Sequence, residues 1–116
     1  MTQRDVRAYL FDIVEACDLI TEFIDGKNLT DYVRTPLLRS AVERQAIIIG
    51  EALSQISKLW PERIADFPDR SSIVGFRNYV VHGYFAIEHM QVWDIATMHV
   101  PPFRKAVAAM LDEMNS

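Results

Sequence analysis

The sequence predicts an all-α fold, a four- to five-helix up-and-down bundle, and three observations predict it. Apolar residues recur at three- and four-residue spacing through most of the chain. No stretch of useful length alternates apolar and polar residues with period two, as a half-buried strand would. Capping and breaking residues separate the helical stretches at intervals that suit a bundle. The 116 residues suffice for one domain, spanning 1–116, with a single sizeable core. There is no internal repeat and no low-complexity tract.

The first helix has a capping-box-like start, Thr2 with Asp5 three residues on. Its apolar stripe runs Val6, Tyr9, Leu10, Ile13, Val14, Cys17, Ile20, Phe23 and Ile24, and Gly26 supplies a left-handed stop. Asp12, Glu15, Asp18, Glu22 and Asp25 make the other side acidic. A second helix is expected from Thr30 or Thr35, with Pro36 in its first turn, to about Leu59. Its stripe includes Leu37, Leu38, Val42, Ile49, Leu53 and Ile56. Its middle, Ala46-Ile47-Ile48-Ile49-Gly50, is apolar on almost every side, which places it centrally in a bundle or at a subunit contact.

Trp60-Pro61 and the stretch from Phe67 to Ser72 are punctuation, with at most one helical turn over residues 62–66 between them. A third helix from Asp69 or Ser71 carries Ile73, Val74, Phe76, Val80 and Val81, and Gly83 ends it. A fourth starts near Ile87 or Glu88 with Met90, Trp93, Ile95 and Ala96. Pro101-Pro102 break or kink it, and Phe103, Val107, Met110 and Leu111 form a last stripe.

Half of the residues are hydrophobic and 24% are charged, an ordinary globular balance. A net charge of -4 argues against a duplex-DNA binder, which usually carries a strongly basic face. It leaves RNA open, because a few clustered arginines hold a phosphate whatever the net charge. Nine of the twelve basic residues are arginine, a bias that favours bidentate anion or carboxylate contacts. Cys17 is the single cysteine, so no intramolecular disulfide forms, and its place in the apolar stripe makes it a small core residue. No signal peptide or bilayer-length apolar run is visible, and the expected setting is cytoplasmic with no membrane contact.

The chemistry concentrates in Arg77-Asn78-Tyr79-Val80-Val81-His82-Gly83-Tyr84. Imidazole moves protons near neutral pH and arginine stabilises phosphate charge, a pairing that suits phosphodiester chemistry without a metal. The plainer alternatives are a surface ion pair for Arg77 and a C-terminal helix cap for His82. At about 100° per residue, Asn78 and His82 share a helix face, whereas Arg77 and His82 lie about 140° apart. Either the arginine curls round the helix or a second subunit completes the site, and a homodimer is the favoured expectation.

These residues resemble the HepT-like family of the HEPN superfamily, whose hallmark is an R-N-x3-H segment on a late helix, continued in the HepT branch as H-x-Y. Arg77, Asn78, His82 and Tyr84 match it. Ile48-Ile49-Gly50-Glu51-Ala52 resembles the family's I-G-E-A stretch, and Val92-Trp93 followed by Pro101 or Pro102 its W…P tail, so the likeness runs from about Val6 to Leu111. The resemblance implies a HEPN-like bundle and metal-independent RNA cleavage by a homodimer, with no cofactor and no metal site. It makes Arg77, His82 and Asn78 the catalytic residues. It also implies a partner, an MNT-type nucleotidyltransferase antitoxin that transfers AMP to Tyr84 and silences the toxin. Without the family, Tyr84 reads as an amphipathic surface tyrosine.

Glu51 adjoins an apolar run and is expected to be partly buried, paired with Arg77 or an arginine of the other subunit and supporting the site. His89 and His99 lack companion ligands at metal spacing. Trp60 and Trp93 fit as core or interface aromatics. Arg39 and Arg44 fit better as a solvated face than as an RNA track. The rival reading from another class is a non-catalytic HEPN module that binds nucleotide or RNA, or serves as an accessory subunit of the transferase.

Overall fold

Asp5 begins the first helix. The computed structural model describes residues 4–65, 67, 73, 75 and 88–116, and in it α1 spans Val6–Ile24. The Asp5 side chain accepts from the Arg7 backbone N–H at 2.9 Å. The cap therefore rests on Asp5 itself, and Thr2 lies outside the described residues. Gly26, at φ 71°, closes the helix in the left-handed region, where a residue without Cβ is cheapest. The predicted stripe holds: Leu10, Ile13, Cys17 and Ile20 are buried, and Val6, Tyr9, Val14, Phe23 and Ile24 pack against them.

Where one second helix was expected, the chain makes two, so both predicted starts are near real ones. Helix α2 (Leu29–Arg34) opens on a reciprocal capping box: Asn28 accepts from the Asp31 N–H, and the Asp31 side chain accepts from the Asn28 N–H. Thr35 adopts an extended conformation, as residues before proline prefer. Pro36 then opens α3 (Pro36–Leu59), where its missing N–H leaves no bond unmade. The break turns Leu37 out of the stripe, and it stands 81% exposed. Helix α4 (Pro61–Ile64) is the single expected turn.

Residues 68–72, 74 and 76–87 lie outside the described residues, and the predicted third helix with them, apart from Ile73 and Gly75. Both are helical, and Ile73 is buried as the stripe required. Phe67 is also buried, edge-on to Phe103 at 6.1 Å between ring centroids.

Of the break or kink expected at Pro101-Pro102, the C-terminal run excludes the break. Helix α5 (His89–Asp94) passes through a π turn (Ile95–His99) into α6 (Val100–Asn115) without interruption. The Val100 N–H reaches back five residues to the Ile95 carbonyl. Pro101 and Pro102 lack donors for the carbonyls four residues earlier, and their rings crowd those carbonyls. A wider turn just upstream accommodates both. Thr97 helps by donating its hydroxyl to the Trp93 carbonyl at 2.8 Å. The apolar face stays in phase across the turn, with Val92, Ile95, Ala96, Val100, Phe103 and Val107 all buried, whereas Met90 is exposed.

The architecture is all-α, with no strand among the described residues. Helix α1 packs on both α3 and α6, α2 sits against α5 and α3, and α4 folds onto α3. The 42 × 28 × 25 Å envelope is set by α3, whose 24 residues extend about 36 Å. The apolar middle of α3 is central: Ala46, Ile49 and Gly50 are buried, while Ile47 and Ile48 are partly covered. No described helix is long and apolar enough to cross a membrane.

Candidate functional site

Arg77, Asn78, His82 and Tyr84 lie outside the described residues. Of the predicted site residues, Glu51 alone falls within them. The expectation of partial burial fails, because Glu51 is exposed. Its neighbours Ala52, Leu53 and Gly50 take the inward positions of α3, and helical rotation carries Glu51 to the solvent side.

Glu51 stands at the edge of a groove of about 260 Å³ between α1 and α3. Arg4, Tyr9 and Asp12 form one wall, Arg44, Glu51 and Gln55 the other, and Ile47, Ile48 and Ala52 the floor. Positions 44, 48, 51 and 55 share a face of α3 because they are spaced by four, three and four residues. The Arg4 guanidinium lies 4.5 Å from the Tyr9 ring centroid and donates to Asp12 at 3.1 Å. Tyr9 in turn leans on Trp60, centroid to centroid 6.1 Å. Arg44 is exposed, and among the described residues it makes no ion pair. A second cavity of similar size continues the groove past Asp12 and Ile48 to Glu15 and Gln45. One end thus carries both guanidiniums together with Asp12 and Glu51, and the other carries carboxylates without a guanidinium.

A second polar cluster sits where α2, α3 and α5 meet. Tyr32 is fully buried, tilted against Trp93 at 5.6 Å and edge-on to His89 at 6.4 Å. The Tyr32 hydroxyl and His89 Nδ1 are both buried without a hydrogen-bond partner among the described residues. Burial pushes the Tyr32 phenol up. Burial also raises the Glu43 carboxyl above its ordinary value, and the charges of His89 and Arg39 oppose that rise. Arg39 itself is tied down, donating to the Val33 carbonyl.

Sequence reasoning missed Tyr32, which sits in a six-residue helix too short to show a period. It also missed the Arg4–Tyr9 pair, because the helix-start signal drew attention to Thr2 and Asp5 instead. Trp60 and Trp93, expected as core or interface aromatics, are half-buried, and Cys17 is a buried core residue. Burial lifts its thiol to about 12, with the Asp18 charge adding to the effect. No group of three His, Cys, Asp or Glu side chains at metal-ligand geometry occurs among the described residues.

Comparison with known proteins bears on the whole chain. The model of the family described as ribonuclease HepT-like matches residues 13–110. A Methanocaldococcus jannaschii protein named "Putative RNase" is 35% identical over 107 residues, covering 92% of this chain and 97% of its own. A Caldanaerobacter subterraneus protein of the same description is 30% identical, over 92% of this chain and 95% of its own. A Thermococcus cleftensis protein named "Probable ribonuclease HepT" is 28% identical, over 88% and 92%. No solved structure matches.

Proposed function

This chain belongs to the ribonuclease HepT-like family, and on that premise we propose that it is a metal-independent endoribonuclease, the toxin of a toxin–antitoxin pair. The observation that carries the reading is the intact Arg77-Asn78-x3-His82-x-Tyr84 string inside the matched residues 13–110. The relatives' ribonuclease names support RNA as the substrate class.

In this mechanism His82 takes the proton from a ribose 2′-hydroxyl. The freed oxygen attacks the adjacent phosphorus, and the 5′-oxygen of the next nucleotide leaves and is protonated. The products are a 2′,3′-cyclic phosphate end and a 5′-hydroxyl end. Arg77 offsets the charge that gathers on the pentavalent phosphorus, and Asn78 donates to a phosphate oxygen or orients His82. DNA is spared because it lacks the 2′-hydroxyl. The site forms in a homodimer, with Arg77 of one subunit approaching the histidine of the other.

The partner is an MNT-type nucleotidyltransferase in the same cytoplasm. It transfers AMP from ATP to the Tyr84 hydroxyl and releases pyrophosphate. The added phosphate and adenosine repel and exclude RNA together.

The test is RNA cleavage by the chain purified without its partner, beside His82→Ala and Arg77→Ala variants. Each variant is expected to lose at least about a hundred-fold in rate. Undiminished cleavage by both would sink the mechanism, and no cleavage by any form would favour the non-catalytic helical module. For Tyr84, mass spectrometry after incubation with the partner and ATP is expected to find AMP on that residue. AMP on another residue, or on none, would remove the silencing step.

A further inference from the structure

We propose that the end of the α1/α3 groove that carries Arg4 and Arg44 is a nucleotide subsite for single-stranded RNA. It rests on the nuclease reading for its biological sense, but not for its physical argument. Three observations meet in the groove. Its volume of about 260 Å³ fits one nucleoside rather than a duplex edge. It also presents a cation–π pair, the Arg4 guanidinium over the Tyr9 ring at 4.5 Å from its centroid, with Trp60 tilted against Tyr9 at 6.1 Å. Finally, Arg44 faces this stack across the floor, exposed and without an ion pair among the described residues.

Unstacked RNA bases lie on aromatic rings and on guanidinium planes alike, so a base can cover or replace Arg4 over Tyr9. If Arg4 is displaced, it remains in the groove as a second phosphate contact beside Arg44. Gln55 on the same wall of α3 supplies an amide to the base edge. A duplex would offer none of its base faces to this stack, which makes the subsite selective for single strands.

The chain's net charge of -4 does not oppose this, because Asp12 offsets only Arg4, 3.1 Å away, and leaves Arg44 as the guanidinium to which a phosphate is drawn.

The experiment measures binding apart from cleavage. A fluorescent single-stranded 2′-O-methyl RNA oligonucleotide, which lacks the attacking hydroxyl, is titrated with the full chain and read by anisotropy across a salt series. Arg44→Ala and Arg4→Ala are each expected to weaken binding at least about five-fold and to lower the slope of log K against log salt by about 0.7. Tyr9→Leu keeps the apolar volume and is expected to weaken binding about five-fold or more with the slope unchanged. Lys105→Ala removes the same charge from exposed α6, away from the groove, and is expected to stay within about two-fold of the parent.

Equal losses in the Lys105 and Arg44 variants would mean that only net charge matters, and would overturn the subsite. So would groove variants that bind as the parent does. Sedimentation in parallel reads the oligomeric state. Groove variants that dissociate the protein while leaving RNA affinity unchanged would make this face a subunit contact instead. If no form cleaves RNA but the groove variants still weaken binding as expected, the nuclease reading falls and the subsite stands.

Discussion

At Glu43 and Tyr32, burial acts on single polar groups in ways that mutation can read directly. Burial raises the Glu43 carboxyl above its ordinary value, so the folded protein favours the neutral form more than the unfolded chain does. The cost of ionising Glu43 is therefore fully present at neutral pH, and it disappears as pH falls through the raised value toward the ordinary one. Glu43→Gln is expected to raise the thermal midpoint at pH 7 and to leave it unchanged below about pH 4, where a free glutamate is itself protonated. Asp5 has the opposite sign. Bonded by the Arg7 side chain and backbone, its carboxyl is held at about 2, so its contribution persists above the ordinary carboxylate range and is lost only as pH falls toward that value.

Tyr32 tests a different balance. A buried hydroxyl without a partner carries a desolvation cost of about 1–3 kcal/mol that a phenylalanine of the same shape avoids. Tyr32→Phe is expected to be neutral or stabilising in urea unfolding. A loss of 1 kcal/mol or more would mean that the hydroxyl is bonded in solution. Neither effect was legible beforehand, because the sequence shows what a side chain can do but not which neighbours it meets. Glu51 is the same lesson with the sign reversed. Its apolar sequence neighbours suggested burial, yet a helix turns adjacent residues 100° apart, and one step along α3 separates core from solvent.

The helices show which local signals survive tertiary structure. Long periodic stretches did: α1 and α6 bury the stripes that their spacing predicts, because about 100° per residue leaves an amphipathic segment one way to face a core. The proline signals were real. Pro36 opens α3 at the later of the two expected starts, and Pro101-Pro102 follow a widened turn without ending the helix. Asn28, two residues past the Gly26 stop of α1, is the cap of α2. Helix α2 has only six residues, too few to be stable on its own, so it depends on this cap and on its packing against α5 and α3. Asn28→Ala removes the side chain that accepts from Asp31 and is expected to cost about 1 kcal/mol of unfolding free energy, measured by urea denaturation. An unchanged midpoint would show that packing alone holds α2.

For the whole molecule, the proposed sharing of Arg77 and His82 between two subunits carries the decisive consequence. If each site takes its arginine from one subunit and its histidine from the other, the two inactive variants can rescue each other. A dimer pairing one Arg77→Ala chain with one His82→Ala chain holds one intact site and one doubly broken site. Unfolding and refolding an equal mixture makes half the dimers mixed, so about a quarter of parental activity is expected to return. Sites built within single chains would give no recovery, because every site in a mixed dimer would then lack one group. That expectation comes from eight residues and the pitch of a helix, and those residues lie outside the described ones. The groove was not legible in the sequence, because it joins Arg4 and Tyr9 to Arg44 and Gln55 across two helices, and no local spacing announces which helices become neighbours.

The π turn at Ile95–His99 has a consequence for how this chain tolerates changes in length. A π turn is an α-helix carrying one residue too many. Removing a residue from an ordinary helix rotates everything beyond it by about 100° and drags its buried face into water. Removing one here would do the reverse. Loss of Met98, which is 66% exposed, would return the segment to α-helical pitch while Val92 and Ile95 before it, and Val100 and Phe103 after it, still point inward. The turn acts as a slack link, where losing one residue keeps the last helix facing the core and costs only the wider turn that accommodates Pro101 and Pro102.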